Sequence, residues 1–279
     1  MAKGGRRYYY EDARWPWRPD DILVRFLGRD RKGTLKHAGG REPFVKGRSR
    51  SENRKSADRD KKRALDLGAG YGRNALWLAE QGFQVEAWET DRRYGAEARR
   101  EAKRRDVKIY FRNGDFTRRD WRGPYEVIVL SCVLHLMRRS AGLRVLRAAR
   151  KALGEGGRLF LLVKLTRDRY FQRWKRDPDW EPVAGEKNTL RRVDEGGARP
   201  QPRLRRGFGG QAGRHLERVR WRGRIQSALA PSELKAALRG LRVRHYREVV
   251  LRSDWETPEP VTHQVAEVVA EKPKFETRK

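Results

Sequence analysis

Three glycines in alternating positions, Gly68, Gly70 and Gly72, form the strongest chemical signal in the sequence. Asp66 stands two residues before the first of them, and Glu89 follows the turn. Glycines in such a turn tolerate positive φ angles and let a ligand approach the backbone closely. An acidic residue roughly twenty positions further on typically accepts hydrogen bonds from a ribose. The pattern therefore predicts a nucleotide-binding turn.

The glycine spacing and the acidic residue before it narrow the class of ligand. The glycines follow the pattern Gly-x-Gly-x-Gly, whereas the dinucleotide fingerprint is Gly-x-Gly-x-x-Gly. The carboxylate of Asp66 would repel a pyrophosphate, because both groups are negatively charged. It would instead favour a cationic ligand that carries an amine and a sulfonium.

A strand, a helix and a second strand must surround this turn to position it. The apolar run Ala64–Leu67 is long enough for a buried parallel strand. The pattern predicts a helix over Arg73–Gln81, with Gly82 placed to end it. Phe83–Trp88 is predicted to be the second strand, with Glu89 at its end. The amides at the start of the helix would then point at the ligand.

Helices and strands continue to alternate along the chain. Tyr125–Leu130 is apolar without a break, which is typical of a central strand. The alternation predicts an α/β fold whose sheet is mostly parallel and ends in an antiparallel pair. The other predicted helices are Tyr94–Arg105, Ser140–Leu153, which Gly154–Gly157 are predicted to end, and Pro231–Leu238. The other predicted strands are Val107–Phe111, Arg158–Lys164, Leu241–Leu251 and His263–Glu271.

Polar and aromatic residues follow three of these strands. Asp115 and Phe116 come after the third strand, Ser131 and His135 come after the fourth, and Lys164 ends the fifth. Open α/β sheets bind their ligands at the carboxyl ends of the strands. We therefore expect these side chains near the ligand. His135 is a general base, a group that orients the substrate, or a residue packed beneath the ligand.

The stretch over residues 61–91 resembles the first motif of class I S-adenosylmethionine-dependent methyltransferases. The run Gly-Arg-Asn-Ala-Leu-Trp-Leu-Ala, followed by Gly-Phe-x-Val-x-Ala-Trp-Glu, is similar to the tellurite-resistance branch in particular. The resemblance covers roughly residues 61–165 and 225–272. It implies a doubly wound, Rossmann-like sheet of seven mostly parallel strands with helices on both faces and an antiparallel last strand.

The resemblance also implies S-adenosylmethionine as the cofactor and assigns residues to it. Asp66 and the glycines would line its methionine part, Glu89 would bind the ribose hydroxyls, and Asp115 and Phe116 would contact the adenine. The full set that the resemblance assigns to the cofactor is Asp66, Gly68, Ala69, Gly70, Gly72, Asn74, Glu89, Asp115, Phe116 and Ser131. His135, Ser131 and Lys164 are catalytic candidates by position alone.

The charge of the chain predicts a polyanionic partner. The 279 residues include 68 basic and 37 acidic residues, which gives a net charge of +31. Such a field favours RNA, DNA or an anionic membrane surface. An Arg-rich codon usage and a charged thermophile surface are the alternative explanation. We expect RNA, ribosomal or transfer RNA in particular, and the ribosome is a further candidate partner.

Two basic segments flank the predicted cofactor-binding region. Residues 1–60 form a predicted arm with 17 basic and 9 acidic residues. Residues 166–224 form a predicted insertion with 17 basic and 8 acidic residues. Residues 61–165 and 225–279 are the two predicted halves of the methyltransferase domain. Aromatic residues in the arm, Tyr8–Tyr10 and Trp15–Trp17, either stack on unpaired bases or cover the edge of the core. Phe171, Trp174 and Trp180 in the insertion are predicted stacking surfaces.

Three hypotheses for the function follow. The first is a methyltransferase that acts on RNA, the second is a small-molecule methyltransferase of the tellurite-resistance type, and the third is a non-catalytic RNA-binding protein. One cysteine excludes a disulfide framework and a cysteine-based metal site, and no metal is expected. Without a signal peptide or an apolar run of roughly 18 residues, a cytoplasmic protein is expected. The scarcity of cysteine and methionine is compatible with a thermophilic source.

Overall fold

The computed structural model describes residues 17–27, 62–193, 224–253 and 261–274. The aromatic residues predicted to stack at positions 8–10 and 15 lie outside these ranges. The description likewise excludes most of the second half of the predicted insertion.

Seven strands form one sheet in the order β3-β2-β1-β4-β5-β10-β9. β10 pairs antiparallel with β5 and β9, and the other neighbouring pairs are parallel. The predicted Rossmann-like fold with an antiparallel last strand is therefore confirmed. The strands are β1 (Arg63–Leu67), β2 (Gln84–Glu89), β3 (Ile109–Asn113), β4 (Tyr125–Ser131), β5 (Leu153–Lys164), β9 (Arg242–Ser253) and β10 (Val261–Glu271).

Helices cover both faces of this sheet. One apolar cluster joins α4 and α6 to one face through Leu146 and Leu234, and a second joins α1, α2 and α3 to the other face through Leu23, Leu78 and Ala98. The helices are α1 (Asp21–Leu27), α2 (Arg73–Glu80), α3 (Arg92–Arg104), α4 (Arg139–Ala152), α5 (Arg169–Trp174) and α6 (Pro231–Ala237).

The strand register places three candidate side chains on one face at the carboxyl edge. Ala64, Val129 and Phe160 all pack in the cluster beneath α1–α3. Side chains alternate along a strand, so Asp66 on β1, Ser131 on β4 and Lys164 on β5 project from that same face. The edge of the sheet beneath α1 therefore holds the candidate chemistry.

The predicted insertion contributes an ordered second layer. A short antiparallel sheet in the order β6-β7-β8 packs against α5. Its strands are β6 (Trp180–Pro182), β7 (Thr189–Arg192) and β8 (Ile225–Ser227). Phe171 is 0% exposed and Trp180 is 7% exposed, so their prediction as stacking surfaces for bases is wrong. Both rings build the core of this layer, and Trp180 stacks on Trp174 with ring centroids 4.9 Å apart.

Asp168 ties α5 to the main sheet. Its carboxylate accepts the backbone N–H groups of Phe171 and Gln264, each at 2.8 Å, and lies 3.2 Å from Nδ1 of His263. Burial alone would raise the pKa of Asp168, but the hydrogen bond and charge of His263, with Lys164 nearby, hold that pKa below its ordinary value. The ionised form is therefore the one that joins the first turn of α5 to the start of β10.

Replacing Asp168 by alanine should lower the free energy of unfolding by about 2–4 kcal/mol, because three buried donors lose their acceptor. The pKa is lowered in the folded protein, so this stabilisation is present above the ordinary aspartate pKa and is lost as the pH falls through the folded value. Urea unfolding at neutral and acidic pH measures it. Asp120→Ala, at an exposed position, is the control. Equal stabilities for the two variants would contradict the assignment.

Candidate active site

The glycine turn after β1 has a conformation that requires glycine. The φ angles of Gly68, Gly70 and Gly72 are 73°, 56° and 81°. A Cβ atom on Gly68 would lie 2.3 Å from Cγ2 of Val133, so this glycine permits close packing against the segment after β4. A Cβ atom on Gly70 would meet no described atom within 4 Å. Gly70 therefore faces open space, and a ligand can approach its backbone.

Asp66 is a buried acid with an unsatisfied oxygen. The residue is 1% exposed, and its Oδ2 has no hydrogen-bond partner among the described residues. Burial is the largest cause that raises its pKa to about 7, the carboxylate of Asp20 adds to the effect, and Arg73 opposes it. A buried acceptor without a donor is costly. A cationic amine would supply both a donor and a positive charge, so Asp66 fits the methionine part of S-adenosylmethionine.

Asp20, Arg73 and Asn74 form a network that holds α1 over the start of α2. Arg73 lies 2.6 Å from Asp20, whose other carboxylate oxygen accepts from the Asn74 amide at 2.9 Å. The Asn74 side chain also accepts the backbone N–H of Asp20 at 2.9 Å. Asn74 thus contacts Asp20 rather than open space, and its predicted cofactor contact stays a prediction. Arg73 also lies 3.5 Å from Oγ of Ser131, which brings Ser131 into the site.

The N-terminal segment contributes to the wall of the site. The ring of Trp17 contacts Tyr71 edge-on, with centroids 6.1 Å apart, and Tyr71 packs on Tyr94 at 4.5 Å. This contact agrees with the prediction that Trp17 covers the edge of the core, and base stacking by Trp17 stays a prediction. Asp20 and Arg73 are functional candidates that the sequence analysis missed, although Arg73 directly follows the last glycine of the turn.

Glu89 connects the end of β2 to the glycine turn. It accepts the backbone N–H of Gly70 at 2.9 Å through Oε2, and those of Thr90 and Asp91 at 2.7 and 3.0 Å through Oε1. These bonds fix the orientation of the carboxylate beside the turn. A ribose hydroxyl would share Oε2 with Gly70, so the predicted role of Glu89 is compatible with its position.

Asp115 and Phe116 differ in accessibility. Asp115 is exposed, and its Oδ1 accepts the backbone N–H of Thr117 at 2.9 Å. Phe116 is 5% exposed and packs in the same apolar cluster as Trp88. The carboxylate of Asp115 is therefore accessible to the amine of an adenine. The buried side chain of Phe116 leaves little surface on which an adenine ring could pack.

His135 and Lys164 are both buried. His135, 7% exposed, lies in a 3-10 turn over residues 134–136. Lys164 is 1% exposed; its Nζ lies 3.5 Å from Oε1 of Gln226 and 4.7 Å from the Trp174 ring centroid. The structure thus brings Asp66, Arg73 and Ser131 together, and it places Lys164 between β5 and the second layer.

Residues 64–157 match the family model described as a methyltransferase domain. The match begins in β1 and includes the glycine turn, the site network at Arg73 and the strand that carries Ser131. Residues 64–157 are therefore similar to a methyltransferase domain. No curated protein is significantly similar to the chain in sequence.

Solved structures with this fold include three that cover most of the chain. A SAM-dependent methyltransferase from Methanosarcina mazei has a TM-score of 0.54 at 16% identity, covering 77% of this chain and 94% of its own. A protein from Pyrococcus horikoshii has a TM-score of 0.51 at 16% sequence identity, and the match covers 77% of this chain and 84% of that protein. TehB from Haemophilus influenzae scores 0.50 at 16% identity; the match covers 78% of this chain and only 59% of TehB. These similarities show the methyltransferase fold.

Every helix in the described ranges is too short or too polar to span a bilayer.

Replacing Gly70 by alanine should weaken S-adenosylmethionine binding by at least about tenfold, because the new methyl group enters the space where the ligand approaches. Gly82→Ala is the matched control. Gly82 also has a positive φ, 90°, and open space at its Cβ position, but it lies at the far end of α2. Both variants carry the cost of a left-handed alanine, about 1–2 kcal/mol. Calorimetric titration measures the affinity of each variant for S-adenosylmethionine. Equal affinities would contradict the placement of the cofactor at Gly70.

Proposed function

We propose that the chain transfers a methyl group from S-adenosylmethionine to RNA, with ribosomal or transfer RNA as the substrate. The observation that carries the RNA assignment is the net charge of +31. A field of this size concentrates polyanions at the surface and adds little to the binding of a neutral small molecule.

The described residues divide the work of holding the cofactor. The carboxylate of Asp66 binds the cationic amine, and the guanidinium of Arg73 is placed to bind a carboxylate. Glu89 accepts from ribose hydroxyls, Asp115 accepts from the adenine amine, and Gly70 lets the cofactor approach the backbone. When bound, the cofactor supplies an electrophilic methyl group on a positively charged sulfur.

Methyl transfer is a single in-line displacement, so positioning and exclusion of water supply most of its rate enhancement. Ser131, at the end of β4 and within reach of Arg73, is placed to orient an acceptor beside the cofactor. The burial of Lys164 and His135 provides a poorly solvated edge of the sheet. A proton that leaves the acceptor requires a nearby base, and His135 is the candidate for it.

A small-molecule methyltransferase of the TehB type is the second candidate function. The glycine motif and the helix that follows it resemble the tellurite-resistance branch, and the fold similarity to TehB supports that alternative. Intact Asp66, the glycine turn and Glu89 favour both enzymatic candidates over a non-catalytic RNA-binding protein.

Purified protein with labelled S-adenosylmethionine should transfer label to unmodified total RNA and not to a small-molecule extract of the host offered in parallel. Transfer to RNA should fall steeply as salt rises, because bound phosphates release counterions. Gly70→Ala, assayed at a cofactor concentration that half-saturates the unaltered chain, is the control and should transfer less label. Label in the small-molecule fraction alone would reject RNA in favour of the TehB-type activity.

If neither fraction is labelled although the cofactor binds, ribosomal subunits are the next substrate to test. Label on the subunits would support the proposal for an assembled particle. Failure with subunits as well would reject RNA methylation.

A further inference from the structure

A surface depression beside α5 is lined mostly by cationic side chains. Its volume is about 470 Å³. Four of the six side chains around it are guanidinium groups, one is an amide and one is a carboxylate, and no apolar side chain lines it. The lining residues are Arg167, Arg169, Gln172, Arg173, Arg176 and Asp177.

Three of the four arginines lack an acidic partner among the described residues. Arg167 lies 3.0 Å from Glu248. The side chains of Arg169, Arg173 and Arg176 make no hydrogen bond or ion pair with any described residue. The carboxylate of Asp177 accepts the backbone N–H of Asp179 at 2.9 Å.

Arginines outside the depression are paired in many places. Arg104 and Arg105 both contact Glu101, at 2.6 Å each, Arg112 lies 2.8 Å from Glu86, and Arg244 lies 2.7 Å from Glu271. Unpaired like charges held close together repel one another and favour an anion from solution. The depression is therefore a concentrated positive surface rather than a set of internal ion pairs.

The helix α5, which carries Arg169 and Arg173 and ends two residues before Arg176, is fixed at two points. Asp168 caps the start of α5 and binds the N–H of Gln264 on β10 at 2.8 Å. Phe171, 0% exposed, anchors the opposite side of the helix in the core of the second layer. Arg169 and Arg173 are four residues apart and thus share one face of α5, with Cβ atoms about 5–6 Å apart. Both are exposed, and binding would require no rearrangement of the backbone.

The depression lies close to the edge of the sheet that holds the cofactor site. Asp168 follows the end of β5 by four residues and contacts His263 at the start of β10. Lys164, the last residue of β5, projects from the same face as Asp66 and Ser131. An extended anion bound in the depression would therefore lie near the carboxyl end of β5.

We propose that Arg169, Arg173 and Arg176 bind successive phosphates of an RNA backbone and so hold the strand beside the methyl-transfer site. Guanidinium groups suit this role because they bind phosphate oxygens with two hydrogen bonds. A lipid surface is the less suitable partner, because membrane-binding surfaces combine basic residues with apolar ones that insert between lipids. The inference shares with the proposed function the assumption of an RNA partner, but it is tested by binding alone.

The test compares two triple variants of the full chain. The first is Arg169→Gln, Arg173→Gln and Arg176→Gln. The control is Arg144→Gln, Arg147→Gln and Lys151→Gln on α4, where three exposed basic side chains make no hydrogen bond or ion pair with the described residues. Both remove three positive charges. Urea unfolding should show that both variants fold, since all six positions are exposed.

Binding is measured by fluorescence anisotropy with a labelled single-stranded RNA between 50 and 200 mM salt. The α5 variant should bind at least about tenfold more weakly than the unaltered chain, and its salt slope should be smaller by about 2, as for three lost phosphate contacts at ~0.7 each. The α4 variant should stay within about threefold and keep the full slope. Both variants should bind S-adenosylmethionine normally.

Equal losses in the two variants would overturn the inference, because only total charge would then matter. Unchanged affinity and slope in the α5 variant would also overturn it. Binding of anionic vesicles but not RNA, with dependence on the same arginines, would replace RNA by a membrane. RNA binding through α5 without RNA methylation would uphold the inference and reject the proposed function, so the two failures are distinguishable.

Discussion

The buried carboxylate of Asp66 is the constraint on which the rest of the site depends. It lies inside the sheet, close to the carboxylate of Asp20, and one of its oxygens lacks a hydrogen bond from the described residues. Such an arrangement destabilises the ionised form, which is why burial raises the pKa of Asp66 to about 7. A protein keeps a group of this kind where a ligand completes it. The glycine turn, Glu89 and α1 are all arranged around that incomplete position.

Contacts between the surrounding elements fix the residues around Asp66 in place. Glu89 holds the amide of Gly70, Val133 packs against Gly68, and the network of Asp20 with Arg73 and Asn74 joins α1 to α2. Arg73 offsets part of the negative charge around Asp66. The second layer then covers the neighbouring end of β5, where Lys164 is buried against Trp174 and Gln226. Cofactor site and α5 surface therefore share one edge of the sheet.

Sequence patterns between neighbouring residues predicted the strands and helices of the seven-stranded sheet. The glycine turn, the apolar strands and the helix after the turn each depend on residues that are close in sequence, so their periodicity and spacing were sufficient. β5 was the exception, because it begins at Leu153 rather than Arg158: Leu153 pairs with Tyr125 before the register shifts. Glycine-rich residues that resembled a helix stop are therefore part of the strand.

Long-range contacts could not be predicted in this way. Asp20 meets Asn74 across 54 positions, and Asp168 meets His263 across 95. The strands of the second sheet are three or four residues long, too short for a periodic signal. Phe171 and Trp180 were predicted to face a base because they stand among arginines. In the structure they are the apolar core that lets those arginines stand at the surface.

Proton release on cofactor binding tests the central claim about Asp66 most directly. Calorimetric titration with S-adenosylmethionine at pH 6, in two buffers of different ionisation enthalpy, gives the number of protons released. Asp66 is mostly protonated at that pH if its pKa is about 7, and a bound cation requires it ionised. We expect the release of close to one proton and an affinity that rises with pH up to about 7. Both effects should be lost in Asp66→Asn. Binding without proton release, equal in both proteins, would contradict the claim.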